Sequence, residues 1–520
     1  MLTGAEPVGG ECRHDGKTRS PGQPRQLYLR TMPPRRPRAD TPTPLTWLGV
    51  WGRMDFLIVL GALAFLMFVA YRGYSVILFA PVAALGAVLL TDPSLVAPMF
   101  TGLFMDKMVG FLKLYFPVFL LGAIFGKVIE LSGFSKAIVA ATIRLFGASR
   151  AILSIVIVCA VLTYGGVSLF VVVFAVYPFA AELFRQSDIP KRLIPGTIAL
   201  GAFTFTMDAL PGTPQIQNII PTTFFGTNTW AAPWLGTIGG VFILAAGLAY
   251  IDWRRRVALK AGEGYAGNAT LVNEPVAFTG GRLANPFLAI LPLVLVGVAN
   301  KLLTIWIPRF YGESHSFDPA VIGDATPIVQ QVASITAIWA VEGALLVGIF
   351  SVIAFAWKPV MSSFANGTKD AIGGALLAGM NTASEYGFGA VIAALPGFLV
   401  VATALGTIDD PLVNEAITVT ALAGITGSAS GGMGIALAAM ADTFIANANA
   451  AGIPMEVLHR VAAMASGGMD TLPHNGAVIT LLAVTGLTHR QAYKDIFAIT
   501  VIKTLAVMVI IGVFYATGIV

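Results

Sequence analysis

The sequence predicts an all-α polytopic membrane protein built from two inverted repeats with broken or re-entrant helices. Three observations lead there. Of 520 residues, 56% are hydrophobic and 11% charged, with a mean hydropathy of +0.79, whereas soluble domains carry roughly 25% charged residues. Apolar runs recur from Phe56 to the C-terminus at about the 17–25 residues that cross a bilayer as helix. The stretch MDALPGTPQI, from Met207, is echoed by MDTLPHNGAV, from Met469.

Backbone inside a bilayer must satisfy its own hydrogen bonds, which leaves helices or a closed barrel. Long uninterrupted apolar runs, rather than short alternating ones, decide for helices. Residues 1–53 stand apart: PGQPRQLYLRTMPPRRPRADTPTP is rich in proline and arginine and has no apolar periodicity. Such a segment cannot bury a core and is expected to be disordered, and it lacks the pattern of a signal peptide. The expectation is that translation starts at Met54; a basic tail contacting anionic lipid is the alternative.

In order, the first membrane repeat (54–251) has expected spans at 56–71, 75–91, 115–131, 136–147, 151–164, 167–184, 192–206 and 233–251. A polar linker, 252–285, opens with Arg254, Arg255, Arg256 and Lys260, which places it on the cytoplasmic side. The second repeat (286–520) has expected spans at 286–305, 333–356, 371–381, 387–406, 415–427, 432–446, 456–468, 476–486 and 497–518.

The two blocks are related. GKVIELSGF from Gly126 matches GAVIAALPGF from Gly389, and Gly165-Gly166 matches Gly431-Gly432. The turn at Asp188-Ile189-Pro190 matches Gly452-Ile453-Pro454, and the MDALP/MDTLP pair completes an ordered series at nearly constant spacing. Internal symmetry of this kind belongs to repeat-built secondary transporters, whose sites form at matching broken helices. A duplication kept only for packing is the plainer reading, but packing alone does not keep acids at both breaks.

Irregular backbone at membrane depth must be buried in protein or line a watery cavity. At the first break Thr163, Gly165, Gly166 and Ser168, and at the second Ser428, Ser430, Gly431 and Gly432, bring hydroxyls beside incipient helix N-termini. That combination suits a carboxylate, although small-residue helix packing is the competing account. Asp208 and Asp470 each follow an apolar segment and precede a proline. They read as substrate or proton sites, because an acid at membrane depth is costly and usually functional; helix capping is the alternative. Gly212, Thr213 and Gln215 after one acid, and His474 and Asn475 after the other, offer hydrogen bonds to a polyol or hydroxy acid. An unperturbed histidine changes charge near neutrality, which makes His474 a candidate to trade protons, with a structural donor as the alternative. Glu385 is a third candidate for proton coupling, while Glu342 and Glu130 are weaker ones.

Other chemistries fail on the sequence. No His/Cys cluster supplies a metal site, and there is no HExxH, GxSxG or phosphate-binding GxxxxGK[ST]. No cofactor and no nucleic-acid partner is expected. The net charge of +5 lies mainly in the tail and loops, where it sets topology. Two cysteines, Cys12 and Cys159, imply no disulfide framework.

The stretches TMDALPGTPQIQNIIP, SGGMGIALAAMAD and HRVAAMASGGMDTLPHNGAVITLLAVTG resemble the gluconate permease family of gluconate:proton symporters, which includes permeases for 3-hydroxybutyrate. The likeness spans roughly residues 54–520. It implies proton-coupled uptake of a small hydroxylated monocarboxylate across the bacterial inner membrane, with no enzymatic activity. It also implies the scaffold-and-transport fold of the ion transporter superfamily and a homodimer. Sodium coupling is the runner-up, since unwound carbonyls beside the glycine pairs can bind Na⁺. An intramembrane enzyme using Asp208 and Asp470 as a carboxylate pair is the alternative of another class.

Overall fold

The computed structural model describes residues 50–72, 74–146, 150–167, 169–267, 271, 273–274, 283–316, 329–398, 400, 408–426, 428–473 and 475–520. The expectations for 1–49, Ser168 and His474 lie outside the described residues. The first helix, α1 (Val50–Tyr71), begins four residues ahead of the expected boundary at 54.

The first half continues with α2 (Val76–Thr91), α3 (Met105–Leu131), α4 (Phe134–Phe146), α5 (Ala151–Tyr164) and α6 (Leu169–Gln186). It ends with α7 (Ile194–Ala202), α8 (Ile216–Phe225) and α9 (Pro233–Lys260). The second half has α10 (Pro286–Tyr311), α11 (Val332–Phe355), α12 (Phe364–Ala394) and α13 (Pro411–Thr426). It closes with α14 (Ala429–Ala450), α15 (Met455–Gly467), α16 (Gly476–Thr485) and α17 (His489–Thr517). Six helical stretches among the described residues are long and apolar enough to cross a membrane. A two-stranded antiparallel ribbon, β1 (Ser314–Ser316) with β2 (Val329–Gln331), pairs Ser314 with Gln331 beside α11. The class is all-α and polytopic, as expected.

The repeat persists in three dimensions. Helices α2 and α11, α3 and α12, α5 and α13, α6 and α14, α7 and α15, α8 and α16 end at corresponding places in the two halves. Backbone conformation follows the same register. Gly226 and Gly486 stop α8 and α16 in the left-handed region, at φ 63° and 65°, where glycine has no Cβ to clash. At the turn after α6, Asp188 takes φ 48° where the second repeat has Gly452 at 68°. Its carboxylate accepts from the Tyr265 amide at 2.9 Å, which ties the turn to the linker.

Helices α1, α2, α3, α10, α11 and α12 pack with one another in an outer group, with α3 against α12 and α10 against α11. The broken helices form the other group, and there the halves interlock. Helix α8 packs on α14 and α15 of the opposite repeat, while α16 packs on α6 and α7. Each short helix therefore completes the other repeat's core.

Some expectations change. No break separates the expected spans at 371–381 and 387–406, because a single helix, α12, covers the first and runs through the second to Ala394. Its glycines are used for close packing, as where Gly387 faces the Phe104 backbone carbonyl. The span at 192–206 breaks at Phe203–Thr204 into α7 and the single turn Phe205–Asp208. Helix α9 runs on to Lys260, through the expected edge of the linker at 252. The run 93–104, of short 3₁₀, α and π turns, and helix α8 had no expected counterpart.

Candidate functional site

At the first break α5 ends at Tyr164, Gly165 caps it, and Gly166 turns the chain at φ 96°. Side chains tie the break to the stretch after Asp208. Gln215 Nε2 donates to Thr163 O at 2.8 Å, and the Tyr164 hydroxyl donates to Pro211 O at 2.7 Å. Thr163 Oγ1 is buried and has no partner among the described residues. Neither glycine has room for a side chain: a Cβ on Gly165 would overlap Leu293, and one on Gly166 would press on Leu345 and Pro214.

At the second break Ser428 caps α14, its hydroxyl accepting from the Gly431 amide at 3.1 Å. Ser430 is buried with its oxygen 3.5 Å from that of Ser428. The amide of Ala429, at the same helix start, donates to Asp470 Oδ1 at 3.0 Å. The helix N-terminus expected to face a substrate carboxylate thus already holds one of the protein's own. Gly432 lets α14 touch the Ala423 backbone, and Gly431 makes room for Glu385 Oε2. Glu385 sits inside α12, buried, hydrogen-bonded to Ser428, with Oε2 unpartnered among the described residues.

The two acids of the repeated stretch have separate partners, and neither caps the helix that follows it. Those caps are Gln215, without a side-chain bond, and Asn475, whose Oδ1 accepts from Ala477 N at 2.7 Å. Asp470, buried, accepts from Gln217 Nε2 at 2.8 Å as well as from Ala429, and Asn475 Nδ2 approaches at 3.4 Å. Asp208, fully buried, has Oδ2 2.8 Å from Lys503 Nζ, off the hydrogen-bonding direction, and no partner at Oδ1 among the described residues. Lys503 also donates to Phe203 O at 2.9 Å and to Gly467 O. Asp208, Asp470 and Lys503 lie close enough to act on one another's charge.

A buried frame holds the loop after Asp208. Arg460 donates to Asp208 O, Ala231 O and Asn218 Oδ1 at 2.7–3.0 Å. Asn218 donates to Thr213 O and Thr229 O, and His459 bridges Asn218 to Thr227. The groups of Gly212 and Thr213 expected to meet substrate are engaged internally. The Gly212 amide donates to Thr229 O at 2.8 Å, and the Thr213 hydroxyl to Thr206 O at 2.7 Å.

The structure therefore joins the second-break residues, Ser428, Ser430, Gly431, Asp470, Asn475 and Glu385, in one cluster. Gln215 and Gln217 link it to the first break. Lys503, Arg460, His459, Gln217 and Asn218 were missed in the sequence. A signal existed for two of them: Lys503 in VIKTLAVM and Arg460 in LHRVAAMA are charges inside apolar runs, a pattern that marks function in membranes. A cleft of about 460 Å³ opens between α3, α8 and α12, lined by Lys107, Lys113, Tyr115, Thr223 and Tyr386 among others. It contains none of the expected site residues. Among the described residues no cluster of His, Cys, Asp and Glu could hold a metal.

No protein-family model matches the chain. Among solved structures, the chain aligns with "Crystal structure of the Alcanivorax borkumensis YdaH transporter reveals an unusual topology", covering 83% of this chain and 90% of that one. At a TM-score of 0.47 and 16% identity, that likeness carries no argument. The curated relative "Uncharacterized transporter YxjC" of Bacillus subtilis (strain 168) is 60% identical over 475 residues, covering 90% of this chain and 100% of the relative. The chain belongs to the same transporter family as YxjC.

Proposed function

We propose that this multi-pass membrane transporter couples proton entry to uptake of a small hydroxylated monocarboxylate, a gluconate-type sugar acid or 3-hydroxybutyrate, across the bacterial inner membrane. The substrate class comes from the resemblance to gluconate permeases, and the observation that carries the coupling is Asp470 on the α14 N-terminus. A substrate carboxylate and the ionised Asp470 compete for the same amide and helix dipole. Protonating Asp470 weakens its hold there, so proton and anion load together. Asn475, Ser428 and Ser430 supply hydrogen bonds for hydroxyl groups, and Glu385 is a second proton acceptor within the cluster.

The enzyme alternative finds no support, because each acid has its own partner, Lys503 or Gln217. Uptake into proteoliposomes under an imposed pH gradient, against an imposed sodium gradient, over a panel of labelled hydroxy acids tests the reading. Accumulation driven by the pH gradient is the expected result. Accumulation only with sodium, or of none of the panel, overturns it.

A further inference from the structure

We propose that Lys503 is the resident cation of the transport site, occupying a cage that would otherwise hold a metal ion such as sodium. The inference rests on the transporter reading, but the cage is testable without any substrate.

The argument is one of position. Phe203 is the C-terminal cap of α7, and Gly467 is the last residue of α15, its partner in the other repeat. Lys503 Nζ donates to both carbonyls, so a single ammonium joins equivalent helix ends of the two repeats. Helix C-termini carry partial negative charge, and the C-terminal ends of broken helices are where repeat-built transporters coordinate their coupling cation. Asp208, 2.8 Å away, adds a full negative charge. Two carbonyls and a carboxylate thus surround one charge, and Lys503 is 1% exposed. Two of the three donors of the ammonium go to the carbonyls, and the carboxylate completes the cage as an ionic neighbour. The remaining charged groups acting on Asp208 are Asp470 and Arg460.

Gly467 fits the same account. A Cβ there would overlap Asp208 Oδ2 and stand 2.8 Å from Lys503 Nζ, so the cage exists only because this position is glycine. A lysine supplied by α17 makes the cation part of the fold, and transport then needs none from solution.

The test is thermal unfolding of the purified full chain in detergent, titrated with methylammonium, sodium or choline. Wild type is expected to ignore all three. Lys503→Ala is expected to unfold several degrees lower and to recover with methylammonium or sodium, but not with the bulkier choline. A Lys503→Ala protein that responds to none of them overturns the proposal. Should that variant not fold, Asp208→Asn/Lys503→Met removes both charges together, as buried pairs often allow. It is expected to exchange substrate yet lose accumulation driven by a pH gradient, and wild-type accumulation in it overturns the proposal. A sodium requirement in wild-type uptake overturns it as well. If wild type transports no hydroxy acid, the substrate reading fails while the unfolding titration still decides the cage.

Discussion

Gln217 donates through Nε2 to Asp470 Oδ2 at 2.8 Å, so the acid of the second break is held by the helix that follows the first. Two residues earlier Gln215 holds the carbonyl of Thr163. One short segment thereby touches both breaks, and a change in the charge of Asp470 reaches the first repeat directly.

Asp470→Asn separates coupling from binding. All three neighbours of Asp470 are donors, from Ala429, Gln217 and Asn475. The new amide puts its oxygen on Ala429 and its NH₂ toward Gln217, which accommodates it by turning its own amide; Gln217 Oε1 is buried without a partner among the described residues. Folding should survive. The variant mimics the protonated acid, so it should exchange substrate between equal pools but no longer accumulate it against a gradient under a pH difference. Asp208→Asn is the companion measurement. If both variants still concentrate substrate, the proton is carried elsewhere, with Glu385 next in line.

Gly467→Ala should be more damaging than its size suggests. The added methyl overlaps Asp208 Oδ2 and crowds Lys503, and overpacking of this kind costs about 1–3 kcal/mol. Lowered unfolding temperature together with lost uptake is expected. Gly476→Ala, whose Cβ would meet nothing within 4 Å, serves as the control. Equal behaviour of the two variants would show that the space at 467 is not restricted.

Much of this fold was legible because membrane helices write themselves as apolar runs, and because the repeat placed the breaks. The expected ends of α2, α5 and α16, and the expected C-terminal end of α3, fall within a residue of the observed ones. Helix α8 was illegible: Gln217, Asn218, Thr222 and Thr223 make it polar, and it is buried by the opposite repeat rather than by lipid. The site was half legible for a related reason. The motif pointed to the acids, but their partners Lys503 and Gln217 lie 295 and 253 residues away along the chain, and nothing local announces such pairs.

Arg460→Met should test the frame behind Asp208. The methionine fills similar space but donates nothing, leaving Asp208 O and Ala231 O without their guanidinium, while Asn218 Oδ1 keeps His459 Nε2. Each buried acceptor so orphaned costs about 1–3 kcal/mol, so the unfolding temperature should fall sharply. Arg460→Lys should restore only some of it, because an ammonium lacks the planar fork. An unchanged unfolding temperature in Arg460→Met would show that the loop after Asp208 is held by other contacts.

The polar cap beside α9 should loosen with acid. Arg192 grips Glu263 through Nε and one terminal nitrogen, both at 2.7 Å, and reaches Asp495 at 3.2 Å. Arg254 and Tyr250 also donate to Asp495, at 2.6 and 3.0 Å. The hydrogen bond from Arg192 is the chief cause holding the Glu263 carboxyl below its ordinary value of 4.5. A carboxyl depressed in the folded state stabilises fully above its unfolded value and ceases to do so as pH falls through the folded one. The loop at 261–267 should therefore keep its protection at pH 7 and lose it first as pH drops below about 4.5. Because Glu263 is partly exposed, the effect is small, about 1 kcal/mol or less. Amide hydrogen exchange of that loop, corrected for the intrinsic rate at each pH, provides the measurement. Glu263→Gln should show the acid behaviour already at pH 7, with the helices of the broken core unaffected. Equal protection of the loop at both pH values, and in the variant, would mean that Arg192 holds the cap through Asp495 alone.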